Sequence, residues 1–67
     1  GRNQEGIDWY RKVLLSFPND ALVHNNLGLL LVNKQSLDEA IHHFSQALSI
    51  NPNLEFARRN LERLEKR

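Results

Sequence analysis

Apolar residues recur at helical intervals in four stretches of this chain, and short polar breaks separate them. Ile7, Tyr10, Val13, Leu14 and Phe17 lie three or four residues apart. They predict a helix from Arg2 to Phe17, with Asn3 as N-cap and Pro18 as its stop. Asn19 or Asp20 then caps a second helix from about Ala21 to Asn33, and an acid at that point also suits the helix dipole. Lys34 and Gln35 make the turn. Ser36 and Glu39 have capping-box spacing: Ser36 is expected to accept from the Glu39 amide while the Glu39 side chain reaches back to Ser36. The third helix carries an apolar stripe of Leu37, Ala40, Ile41, Phe44, Ala47, Leu48 and Ile50, and Asn51-Pro52 interrupts it. Asn53 is the expected cap of a fourth helix, Leu54 to about Arg67. Leu54, Ala57, Leu61 and Leu64 form its inner face; Arg58, Glu62 and Glu65 face water. The fold class is all-α, with four antiparallel helices.

The pattern also repeats at an offset of thirty-four. Gly6 pairs with Ala40, Ile7 with Ile41, Tyr10 with Phe44, Leu14 with Leu48, and Pro18 with Pro52; Asn26, Leu27 and Leu30 pair with Asn60, Leu61 and Leu64. Between Ala21 and Pro52 the series Ala21, Leu27-Gly28, Leu31, Ala40, Phe44, Ala47, Pro52 alternates small and large residues in one register. In this it resembles the tetratricopeptide repeat, a helix-turn-helix unit of about 34 residues. Gly28 and Ala40 are small where two helices must approach closely, and Leu27, Leu31 and Phe44 fill the space beside them. Three positions depart from the family pattern. His24 and Leu31 stand where an aromatic is usual, and Gln35 stands where a turn glycine is common. The resemblance implies an α-solenoid fragment in a single domain, residues 1–67. Residues 1–18 are then the second helix of a preceding repeat, 19–52 a full repeat, and 53–67 a first helix serving as a C-terminal cap with the polar outer face such ends need. The chain starts at Gly1 rather than Met and its first helix lacks the helix that would precede it in the repeat, so the N-terminal end reads as cut; the polar outer face of the fourth helix makes the C-terminal end read as a natural or designed end.

Composition narrows the function classes. At 67 residues the chain is near the lower size limit for a stable single core. Cysteine is absent, which excludes disulfides, thiolate metal sites and thiol catalysis and leaves the compartment unread. A formal charge of +1 removes the broad attraction that nucleic acid or an anionic membrane requires. No apolar run approaches the ~20 residues of a membrane span. The only candidates for metal or acid–base work are His24, His42 and His43. The last two are about 100° apart on a helix and cannot converge on one ion, so all three read as structural or surface residues. His24 is expected to be partly buried and hydrogen-bonded to a neighbour. No nucleophile elbow or phosphate loop accompanies Ser16, Ser36, Ser45 or Ser49. The chain is therefore expected to be no enzyme and to need no cofactor. Arg58, Arg59, Arg63, Lys66 and Arg67 are interleaved with glutamate, and Glu55/Arg59 and Glu62/Lys66 have the spacing of stabilising helix pairs.

A function follows from the resemblance. In this family the first helices line a concave groove, and the matching positions here are Leu22, Asn25, Leu29, Val32 and Asn33, then Phe56, Arg59, Arg63, Lys66 and Arg67. Apolar residues clustered beside guanidinium groups imply a protein partner: a peptide or helical segment with apolar anchors and one acidic group. The clamp with which some members hold chaperone tails keeps only Asn26; Leu29 and Asn33 replace its polar and basic groups. The alternative is a solenoid spacer, or a homodimer formed through the uncovered first helix at Ile7, Trp9, Tyr10, Val13 and Phe17.

Overall fold

The computed structural model describes residues 1–66. Its elements are α1 (Arg2–Ser16), α2 (Ala21–Asn33), α3 (Leu37–Ile50) and α4 (Glu55–Glu65), joined by three- or four-residue turns. Among the described residues there is no strand, and no helix is long and apolar enough to cross a membrane. Each helix packs on the next in sequence, the α2–α3 hairpin most extensively.

One core takes residues from all four helices. Ile7 comes from α1, Leu27 and Leu31 from α2, Ala40 and Phe44 from α3, and Leu64 from α4. Tyr10, Leu14, Leu30, Val32, Leu37, Ile41 and Leu61 pack around them. Burying one such side chain contributes about 1.5–3 kcal/mol, so stability depends on every helix docking at once. A smaller cluster of Ala47, Leu54 and Ala57 ties α4 to the end of α3. The closest approach is at Gly28, where an added Cβ would lie 2.6 Å from Cε1 of the Phe44 ring. Gly6 serves the same purpose between α1 and α2, opposite Leu30.

Helix ends are where the fold differs from expectation. Asp20 does cap α2, its carboxylate accepting from the Val23 amide at 3.2 Å. Asn3, expected as the α1 cap, lies inside α1; Gly1 is the N-cap, and Asn3 Nδ2 donates instead to the Leu30 carbonyl at 3.1 Å. The Ser36–Glu39 capping box does not form. Ser36 makes no side-chain cap bond, and the reciprocal half of the box is lost because the Glu39 carboxylate is held at 2.6 Å by Arg11 from α1, an ionised donor being the stronger partner. The cap of α4 is Leu54 rather than Asn53. The burial of Leu54 against Ala47 and Ala57 sets where the helix begins, and the Asn53 amide is engaged by Asn51 Oδ1 at 3.1 Å. Glu55 pairs with Arg58 at 3.7 Å rather than with Arg59.

The α2–α3 turn closes as a Schellman motif, with Ser36 N–H donating to the Leu31 carbonyl at 2.8 Å and Gln35 N–H to that of Val32 at 2.9 Å. This places Gln35 at φ 64°, a left-handed conformation in which a side chain costs about 1–2 kcal/mol. Gln35→Gly is therefore expected to raise stability by about 1 kcal/mol, less the entropy glycine adds to the unfolded chain, and the melting temperature by roughly 4 °C. A thermal melt showing no rise would mean that the Gln35 side chain makes a compensating contact.

Candidate functional site

Leu22 and Leu29 are seven residues apart, so they share one face of α2, with Asn25, Asn26, Val32 and Asn33 beside them. Phe56, Arg59, Asn60 and Arg63 share one face of α4 by the same spacing. A single hydrogen bond relates the two faces: Asn60 Nδ2 donates to Asn25 Oδ1 at 3.1 Å. Asn25 lies between Leu22 and Leu29, and Asn60 between Phe56 and Arg63. The bond therefore sets the two rows side by side.

The exposed members are Leu22 (54%), Leu29 (40%) and Phe56 (46%), together with Asn33, Arg59, Arg63 and Lys66. Arg59 and Arg63 make no ion pair among the described residues. Two groove residues read from the sequence are placed otherwise. Asn25 is buried, 2% exposed, because its amide is spent on Asn60; it is a floor residue rather than a contact surface. Val32 is half-buried, packed against the main core. Asn26 is half-buried, and Arg67 lies outside the described residues. Asn60 was not among the sequence candidates, although it repeats Asn26 at the thirty-four-residue offset and follows Phe56 by one helical turn.

The surface read as a self-association face divides. Ile7 is fully buried under α2 and is unavailable to a second copy, and Tyr10 packs onto the core. Val13 is half-buried, while Trp9 and Phe17 are more than half exposed. Trp9 lines a shallow depression with Glu5, Asp8 and Lys12, and Phe17 lines another with Ser16, Pro18, Asn19 and Asp20.

The histidines form a small stacked group in which His24 is buried, His43 half-buried and His42 exposed. His24 Nε2 lies 2.8 Å from the Pro18 carbonyl, and its Nδ1 lies 2.9 Å from Nδ1 of His43. The two rings stack with centroids 5.2 Å apart, and the His42 ring meets His43 edge-on at 5.1 Å. Burial, then the neighbouring His24 and His42, with a smaller contribution from Arg11, lower the His43 pKa to about 4 against the opposing pull of Glu39. Among the described residues no three His, Asp or Glu side chains are grouped to hold a metal ion.

Comparison with known proteins adds sequence relationships to this geometry. Residues 21–54, just over half of the chain, match the family model described as "Tetratricopeptide repeat". The chain is similar to anaphase-promoting complex subunit 7 of Arabidopsis thaliana, with 35% identity over 66 residues, 98% of this chain and 12% of that protein. It is also similar to the peroxisomal targeting signal receptor of Kluyveromyces lactis, with 42% identity over 55 residues, 82% of this chain and 10% of that protein. The receptor of Saccharomyces cerevisiae is 40% identical over the same length, 82% of this chain and 9% of its own. The chain thus spans about a tenth of the length of these relatives. No solved structure gives a significant match.

Proposed function

The chain belongs to the tetratricopeptide repeat family, whose members are protein–protein interaction modules, and from that premise we propose that the α2 and α4 faces bind a peptide or helical segment with apolar anchors and one acidic group. One observation carries this reading: exposed Leu22, Leu29 and Phe56 flank the Asn25–Asn60 bond, beside two guanidiniums with no ion pair among the described residues. Three large apolar side chains held in water on a rigid floor gain by being covered. An arginine without an internal partner loses little solvation when a carboxylate arrives in bidentate geometry. The relatives agree at a coarser level, one being named as a receptor for a targeting signal and another as a subunit of a complex.

Fluorescence anisotropy with a short labelled peptide carrying leucine anchors and one glutamate, and with its glutamine twin, tests this. Arg59→Glu with Arg63→Glu is expected to weaken the acidic peptide about tenfold and to erase its advantage over the twin, with a steep salt dependence in the unmodified chain. Leu29→Glu should weaken both peptides about tenfold while helical content and melting stay unchanged. Unchanged affinity in both variants refutes the groove, and unfolding of Leu29→Glu reassigns that residue to the core. Exposed Trp9 and Phe17 support the second reading, self-association through α1. Under that reading light scattering of the peptide-free chain returns a mass that rises with concentration; a constant monomer mass rejects it.

A further inference from the structure

We propose that His24 and His43 form a two-proton latch between α2 and α3, which holds while the pair carries up to one extra proton and opens when a second arrives. The geometry determines the proton count. A backbone carbonyl only accepts, so the 2.8 Å contact with Pro18 requires the hydrogen of His24 to sit on Nε2. With both rings neutral, His24 Nδ1 then carries a lone pair, and His43 must donate to it from Nδ1 across 2.9 Å. One extra proton leaves that bond intact. It sits on His43 Nε2, or it makes His24 the donor while the hydrogen of His43 moves to Nε2. Two extra protons are incompatible with the bond, since each Nδ1 would then carry hydrogen toward the other with no acceptor between them.

Charged and titratable groups face His43 from all three helices packed around it. His24 stacks on His43 from α2, His42 meets its edge from α3, and Arg11 approaches from α1. Glu39 on α3 attracts positive charge, but its carboxylate is already bonded to Arg11. The low pKa of His43, about 4 against 6.5 for a free ring, is consistent with this arrangement. A histidine whose folded pKa is depressed contributes stability that is fully present above 6.5 and is lost as the pH falls through about 4. His24 keeps its Nε2 hydrogen on the Pro18 carbonyl in each of these states, so opening the pair frees His43 on α3 and leaves the α1–α2 turn bonded to α2. The latch does not depend on what the α2 and α4 faces bind.

Long-range proton–nitrogen NMR of the three histidine rings, recorded on the whole chain from about pH 8 down to about pH 3, tests the proposal, because interacting sites titrate in separate macroscopic steps. The expected result is His24 as the Nε2–H tautomer and His43 as the Nδ1–H tautomer at the high end, with the Nδ1–Nδ1 bond kept through the first protonation of the pair and lost at the second. In thermal melts over the same range the unmodified chain should lose about 5 °C more than His43→Gln, which keeps a donor but cannot charge. Loss of the bond at the first protonation, the opposite tautomer at the high end, or an equal acid loss in the variant overturns the latch. If His43→Gln fails to fold, the ring titration of the unmodified chain decides alone.

Discussion

Phe44→Ala is expected to leave the chain largely unfolded at 25 °C, with its far-UV circular dichroism reduced to that of a coil. Phe44 is fully buried at the centre of the cluster that draws residues from all four helices. Removing a buried phenylalanine ring costs about 3–5 kcal/mol, the transfer of its carbons plus the cavity they leave. A single core in a chain of 67 residues with no cysteine supplies only about 3–5 kcal/mol in total, so the loss and the reserve are of equal size. The cavity cannot close by local collapse either. Ile7, Leu27 and Leu31 are held by three different turns of α1 and α2, and moving them toward the void would undock their own helices. Phe44→Leu supplies the comparison: it keeps most of the volume, so it should fold with a urea midpoint lowered by the equivalent of roughly 1–2 kcal/mol. Were Phe44→Ala to melt like the unmodified chain, the four-helix core would not be cooperative and each hairpin would have to stand by itself.

How far the chain can be read from its residues alone depends on the kind of interaction. All four helices lie within two residues of where the apolar spacing and the stops at Pro18 and Pro52 place them, because periodicity and proline chemistry act locally. The small residue at position 28 was legible for the same reason: a glycine in mid-helix has few explanations other than close approach. What the one-dimensional pattern lacks is the competition for each polar side chain. Glu39 has the spacing of a capping box, but Arg11, far away in sequence, takes its carboxylate. Asn25 sits at a position read as groove surface, yet Asn60, one helix beyond the hairpin, covers it. Asn3 is equally distant in sequence from the Leu30 carbonyl it meets. The misplacement of Ile7 has another origin. Its helix was read as missing a neighbour on one side, but a helix has several faces, and Ile7 is on the one that α2 covers. The pairing of His24 with His43 was legible only as a partly buried ring with some partner, since sequence separation gives no ring-to-ring distance.

Gly28→Ala should destabilise the chain by about 2 kcal/mol, opposite in sign to the usual effect of replacing glycine in a helix. On propensity alone alanine would gain about 0.5–1 kcal/mol. The added methyl, however, would fall 2.6 Å from Cε1 of Phe44 and 2.9 Å from both Cδ1 and Cζ, well inside van der Waals contact. Phe44 is a rigid ring with no exposed surface, so it cannot swing aside into solvent as the tip of a flexible side chain would. Either α2 and α3 move apart, opening voids beside Leu27 and Leu31, or the ring leaves its rotamer. Overpacking of this kind costs about 1–3 kcal/mol or more, which exceeds the propensity gain, and Gly28→Val should cost more still. The clash is specific to the aromatic ring, which makes the prediction testable by a double-mutant cycle in urea. Gly28→Ala placed in the Phe44→Leu background should cost at least ~1 kcal/mol less than in the unmodified chain, a coupling well above the few tenths seen between distant sites. If the two changes prove additive, or if Gly28→Ala alone raises the midpoint, the interhelix contact at Gly28 has slack that this packing does not allow.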